Sequence, residues 1–270
     1  MTSKEMLNRL LDQHYQNAIE AKRQGKLVAW ATSISPQELL ETMDIAVVYP
    51  ENHAAAIGAR KCALELLEHS ESNGYSTDIC SYARVNLGYM EVLESPAGNI
   101  PLPDLIFCCN NICNTVLKWY ENIAKELNIP MILIDLPFNH EYEVTEQNVR
   151  YIRGQLSDAI KQLEKLTKRS FDYAKFHEIM KISSETAGWW KKASLMARAK
   201  PSPLNGFDLF NYMAVIVCMR GRKEGLELFK LWVRELEERK AAGLGPWKDQ
   251  EEKIRILWDG IARSEEHTSE

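Results

Sequence analysis

The chain carries no excess of positive charge: 33 lysines and arginines stand against 38 aspartates and glutamates, giving a net charge of −5 and a pI near 5.8. A protein that grips nucleic acid or an anionic membrane presents a basic stripe, and none is present, so neither partner is expected. No stretch approaches the roughly 18 uninterrupted apolar residues of a membrane-spanning helix. The first twelve residues, Met1 to Asp12, lack the basic segment and following apolar core of a secretory signal. A cytoplasmic location is the resulting expectation. The six cysteines (62, 80, 108, 109, 113 and 218) are then expected to be buried, metal-bound or catalytic rather than disulfide-bonded. No Gly-x-Gly-x-x-Gly string follows the first strand, which leaves no dinucleotide fingerprint.

The 45% hydrophobic content of 270 residues is enough to bury a large core in one or two domains. Residues 4–24 follow a helical period ended by Gly25, as an outer helix would. Four short apolar runs come next: Leu27 to Ala31, Ile45 to Tyr49, Leu105 to Cys109 and Met131 to Asp135. Each predicts a strand buried on both faces. Helical patterns lie between them, over Pro36 to Met43, His53 to Glu68 and Ile112 to Leu127, the last capped by Asn110 or Asn111. Alternation of strand and helix implies an α/β fold, a flavodoxin- or Rossmann-like parallel sheet flanked by helices.

Four regions are expected: an N-terminal α/β domain over 1–140, a helical linking and bracing region over 141–200, the start of a truncated second α/β domain over 201–262, and a tail over 263–270. Pro201 to Gly206 is turn-rich, two helices follow over Phe207 to Val217 and Gly221 to Ala242, and Ile254 to Trp258 reads as the next strand. Arg263 to Glu270 has no apolar period and is read as non-native, so the natural chain is expected to continue past Ala262.

The chemistry-bearing residues gather where strands hand over to helices, the edge of an open parallel sheet at which ligands collect. Cys80-Ser-Tyr-Ala-Arg-Val-Asn-Leu-Gly and Cys108-Cys109-Asn-Asn-Ile-Cys113 are both assigned to such positions. Thiols at two of them can meet although 33 positions apart, and two soft ligands facing one crevice suggest an iron–sulfur cluster. Cys62 and Cys218 fall in helical patterns as small core residues, and Cys108 and Cys109 in a buried strand. Glu51 follows a strand and a proline, so its carboxylate is expected at the crevice, able to act as acid or base on a hydroxyl or α-proton. His53 reads as a helix N-terminal residue, and Arg84 and Lys118 as surface charges.

These segments, with Val28-Ala-Trp-Ala-Thr-Ser33-Ile-Ser-Pro36-Gln-Glu38 and Val48-Tyr-Pro-Glu51-Asn-His53, resemble the 2-hydroxyacyl-CoA dehydratase family, which includes the cluster-carrying subunits of benzoyl-CoA reductase. The Tyr-Pro-Glu-Asn-His string is similar to the benzoyl-CoA reductase branch. The match runs from about residue 25 to Pro137, with weaker support to Ala262. The family's first cysteine opens a Cys-Ser-Tyr/Phe-x-Arg segment, matched by Cys80. Its second stands eight residues before a Tyr-Glu or similar pair, as Cys113 stands before Glu121.

The resemblance implies Cys80 and Cys113 as ligands of a [4Fe-4S] cluster, with the third cysteine in the C-terminal part beyond this sequence. It implies Ser33 and Glu51 as polar groups beside an acyl-CoA substrate. The implied protein is one subunit of an oxygen-sensitive heterodimer with a homologous second subunit. An ATP-dependent activator iron–sulfur protein injects one electron, and a ketyl radical then permits elimination of water from a 2-hydroxyacyl-CoA. Three alternatives stand beside it: a benzoyl-CoA reductase-like subunit, a catalytically silent cluster-bearing partner, and a zinc or redox-thiol protein using Cys109 and Cys113. The last is disfavoured by the lack of a second cysteine or histidine pair.

Overall fold

The computed structural model describes residues 1–95, 97–140, 142–247 and 251–257. The described residues divide into two compact units: Tyr15–Asp172 forms one, and Met1–His14 with the residues from Tyr173 onward forms the other. This division falls inside the 141–200 segment read as a linker, between two of its helices.

The first unit is built on four parallel strands, β1 (Val28–Ala31), β2 (Ala46–Val48), β3 (Leu105–Cys109) and β4 (Met131–Ile134), in the order β2-β1-β3-β4. Val28 pairs with Ala46, Ala29 with Leu105, and Cys109 with Ile134. The parallel α/β sheet is therefore as expected; β3 matches its apolar run, β1 and β4 are one residue shorter than theirs and β2 two residues shorter. β1 and β3 are buried along their whole length, because helices cover both faces of the sheet. Asp104 fixes the amino edge, accepting hydrogen bonds from Val28 N (2.8 Å) and Lys22 Nζ (2.6 Å), the latter from α1 (Ser3–Arg23).

Around the sheet lie α2 (Gln37–Thr42), α3 (Pro50–Ala59), α4 (Leu64–Ser72), α5 (Ser81–Val92), α6 (Asn114–Glu126) and α7 (Glu146–Thr167). Three expectations are corrected here. The single helix predicted over His53 to Glu68 is two, α3 and α4, broken where Lys61 takes a left-handed φ of 56°. Cys62, expected inside that helix, lies in the break, its thiol donating to Ile57 O (3.2 Å). Cys80 does not follow a strand; it follows α4 and a loop and caps α5. Its segment has no buried apolar run before it, so helix packs directly on helix. Gly88 of α5 permits this, since a Cβ there would lie 1.9 Å from Leu66 O of α4.

The second unit contains α8 (Tyr173–Leu195), α9 (Gly206–Cys218) and α10 (Lys223–Ala241). Asn205 and Asp208 form a reciprocal capping box that starts α9. Tyr212 of α9 stacks on Trp232 of α10 with centroids 3.9 Å apart, and Trp190 of α8 meets Phe229 edge-on. Cys218 is buried, as expected. Residues 254–257, read as the opening of a strand, are not in one, while Trp258 and the proposed tail 263–270 lie outside the described residues. None of the described helices is long and apolar enough to cross a membrane.

Candidate functional site

The strand order reverses between β1 and β3, and the crevice outside the carboxyl ends of strands at such a reversal is where α/β sheets bind ligands. The turn after β1 is pinned there by side chains that extend the ladder. Thr32 N donates to Phe107 O (3.1 Å), Cys109 N donates to Thr32 Oγ1 (3.0 Å), and Ser35 Oγ donates to Phe107 O (3.1 Å). Ser33 is carried on this turn. On the other side of β1, Pro50 occupies the first helical position of α3, where its missing N–H costs nothing and its fixed φ suits the helix. Glu51 comes next, in the first turn, where the helix dipole favours an acid.

These two local structures bring Ser33 and Glu51 into contact. Glu51 Oε2 accepts from Ser33 N (2.7 Å) and from Ser33 Oγ (2.8 Å). A third donor had no assigned role: the hydroxyl of Tyr120, on α6, lies 3.5 Å from Glu51 Oε2 and 3.1 Å from Ala31 O. Tyr120 is completely buried. Its place in the Tyr120-Glu121 pair and on the apolar stripe Val116, Trp119, Tyr120, Ile123 reads as core, and only the polar tip of a buried aromatic hints at more.

Burial pushes the Glu51 carboxyl above its ordinary value, partly offset by the donors from Ser33 and Tyr120. Burial, with the nearby Glu51 carboxylate, holds the Tyr120 phenol far above its own. The same two causes push up the Cys108 thiol, which points from β3 into this region. His53, two residues beyond Glu51, is turned into the core: its ring meets Tyr15 and Tyr89 edge-on, and Nε2 lies 2.7 Å from Gly98 O.

Cys80 and Cys113 are each the N-cap of a helix, α5 and α6, and both are exposed. Cys113 rather than Asn110 or Asn111 caps α6, its sulfur accepting from Val116 N (3.4 Å). Asn110 is drawn aside instead, donating to Asp135 and accepting from Leu136 N (2.8 Å). The helices α5 and α6 are tied by Trp119 Nε1 donating to Asn86 Oδ1 (2.8 Å), and each partner stands six residues beyond its cysteine. Both helices run from the carboxyl towards the amino edge of the sheet. α6 leaves the end of β3, and the last turn of α5 is bonded through Tyr89 to Ile100, just before β3 begins. Each cysteine therefore stands at the positive end of a helix dipole, on two helices joined by the Trp119–Asn86 bond. Cys109, by contrast, is buried, donates to Asn111 Oδ1 (3.2 Å) and is pushed towards its neutral form by burial, which suits neither a zinc ligand nor a redox thiol. Among the described residues no group of three His, Cys, Asp or Glu side chains is arranged to hold a metal ion.

The family model for the 2-hydroxyglutaryl-CoA dehydratase D-component matches residues 32–268. The chain belongs to this family. It is 52% identical over 257 residues to the (R)-2-hydroxyisocaproyl-CoA dehydratase alpha subunit of Clostridioides difficile, covering 95% of this chain and 63% of that protein. It is 48% identical over 276 residues to the lactoyl-CoA dehydratase subunit alpha of Anaerotignum propionicum, covering 97% and 65%. A benzoyl-CoA reductase subunit from Thauera aromatica is more distant, at 25% identity over 92% of this chain and 60% of that protein. The chain thus spans a little under two thirds of the length of these relatives. The benzoyl-type string Tyr49 to His53 sits in a chain that is 52% and 48% identical to the dehydratase subunits, against 25% to the benzoyl-CoA reductase subunit.

Proposed function

We propose that this chain is part of the alpha subunit of a 2-hydroxyacyl-CoA dehydratase, removing water from a 2-hydroxyacyl thioester together with a homologous second subunit. The observation that carries the reading is the Ser33–Glu51 pair at the strand-order reversal, in a chain about half identical to dehydratase alpha subunits. Elimination removes a proton from C3 and hydroxide from C2, so the site must move a proton at the substrate. Glu51 is suited to this: desolvation raises its affinity for the proton towards the working pH, which is the tuning a general acid–base group needs. Ser33 holds that carboxyl in place with two donors and keeps it from swinging into solvent.

Cys80 and Cys113 fit as two ligands of a [4Fe-4S] cluster: soft donors, exposed, and backed by helix N-termini that offset negative charge. When bound, such a cluster supplies a low-potential electron and an iron able to act as a Lewis acid. The two cysteines anchor it to the first unit, and a further protein ligand is expected outside the described residues. A separate ATP-dependent activator is the expected electron donor.

The test is reconstitution of the gene product at full length with its partner subunit and activator, under anaerobic conditions, on a panel of 2-hydroxyacyl-CoA thioesters. Appearance of 2-enoyl-CoA, lowered at least about 100-fold in Glu51→Gln, is the expected result. Reduction of benzoyl-CoA without dehydration of any hydroxyacyl thioester would overturn the reading in favour of an aromatic reductase.

A further inference from the structure

All three donors that reach Glu51 converge on one of its two oxygens. Ser33 N, Ser33 Oγ and the Tyr120 hydroxyl all address Oε2, while among the described residues no donor reaches Oε1 and Oε1 is not a buried unsatisfied atom. The two oxygens of this half-buried residue are therefore different in kind, one anchored by three donors and the other not fully buried and without a donor among the described residues. Tyr120 has a second acceptor for its single hydroxyl hydrogen, Ala31 O at 3.1 Å. When Glu51 is ionised the hydrogen is drawn to the carboxylate, because hydrogen bonds to charged acceptors are about twice as strong. When Glu51 is protonated the hydrogen turns to Ala31 O, so a completely buried hydroxyl is never left without a partner.

We propose that Tyr120 is a positioning residue for Glu51: with Ser33 it anchors Oε2, follows the charge of the carboxyl by switching its hydrogen between Glu51 and Ala31 O, and leaves Oε1 as the oxygen that meets the substrate. This rests on the reading of Glu51 as the acid–base group. The other titratable groups near the Glu51–Tyr120 pair are Cys108 on β3 and Tyr49 at the start of α3, with Glu121 near Cys108. Burial holds the Cys108 thiol in its neutral form, and the carboxylate that Tyr120 faces is that of Glu51.

The test is a carboxyl carbon-13 NMR titration of the full chain labelled in its glutamates, with the Glu51 signal identified by its loss in Glu51→Gln. In Tyr120→Phe the Glu51 midpoint is expected to rise, since a donor to the ionised form is removed. Placing 3-fluorotyrosine at position 120 keeps the ring and hydroxyl but makes a better donor, and the midpoint is expected to fall. Opposite shifts support the proposal; a midpoint unmoved by fluorination overturns it, even if Tyr120→Phe disturbs folding. Neither result depends on turnover, so failure here is distinguishable from failure of the reading of Glu51, which the activity of Glu51→Gln decides.

Discussion

Gly88 controls how closely α5, which carries Cys80, lies on α4, and Gly88→Ala measures that packing. An added Cβ would stand 1.9 Å from Leu66 O and 2.8 Å from Leu66 C, both backbone atoms of another helix that cannot rotate away. Relief to ordinary contact needs the helices to part by roughly 1–1.5 Å, at a cost near the upper end of the roughly 1–3 kcal/mol typical of overpacking. The intrinsic gain of Ala over Gly in a helix, about 1 kcal/mol, offsets part of this. The net expectation is a loss of about 2 kcal/mol, or roughly 4–8 °C in melting temperature for a unit of this size. Gly154, an exposed position in α7 of the same unit, meets nothing within 4 Å and is the control. Gly154→Ala is expected to stabilise by about 0.5–1 kcal/mol. Urea unfolding followed by circular dichroism gives both differences. Equal stability of the two variants would refute the close α4–α5 contact, and with it the argument that this glycine sets the position of Cys80.

Further outcomes follow from the same geometry. Glu51→Gln is expected to melt higher than the parent near neutral pH, because a carboxyl whose folded pKa is raised destabilises the fold once it ionises; the difference should vanish below its ordinary value of 4.5, and a thermal-shift series across pH reads it. Burial holds the His14 imidazole neutral, pushing its pKa down to about 3, so the stability it allows is complete above pH 6.5 and falls by up to about 1.4 kcal/mol per pH unit below. His14→Gln should flatten that slope in urea titrations from pH 7 to 4. Trp119→Phe removes the donor to buried Asn86 Oδ1 and is expected to cost about 1–3 kcal/mol, again by urea unfolding. In the full-length protein, Cys80→Ala or Cys113→Ala should each remove iron and acid-labile sulfide on anaerobic analysis; retention of both in both variants would remove these cysteines from the cluster.

The four strands were legible as uninterrupted apolar runs, which β1 and β3 bear out with burial along their whole length, whereas β4, expected to be buried on both faces, leaves Leu133 exposed. The break between α3 and α4 was not, since the apolar period continues across Arg60 to Ala63 and the turn rests on Lys61 adopting a left-handed backbone without a glycine to announce it. Ser33 and Glu51 were legible as a motif, but their contact depends on how a turn after one strand meets a helix after its neighbour, which no local pattern encodes. Tyr120 and Asn86 were hidden for a common reason: each is a polar-tipped residue on a buried helix face, and its partner is distant in sequence. Cys80 was placed correctly at a helix start and wrongly after a strand, because a helix N-cap looks the same in sequence whether a strand or a loop leads into it.

The most direct test of the central claim is anaerobic turnover by the full-length chain with its partner subunit and activator, parent against Glu51→Gln, on a 2-hydroxyacyl-CoA. The account predicts formation of 2-enoyl-CoA by the parent and at least about 100-fold less by a variant that remains folded. Undiminished dehydration by Glu51→Gln would contradict it.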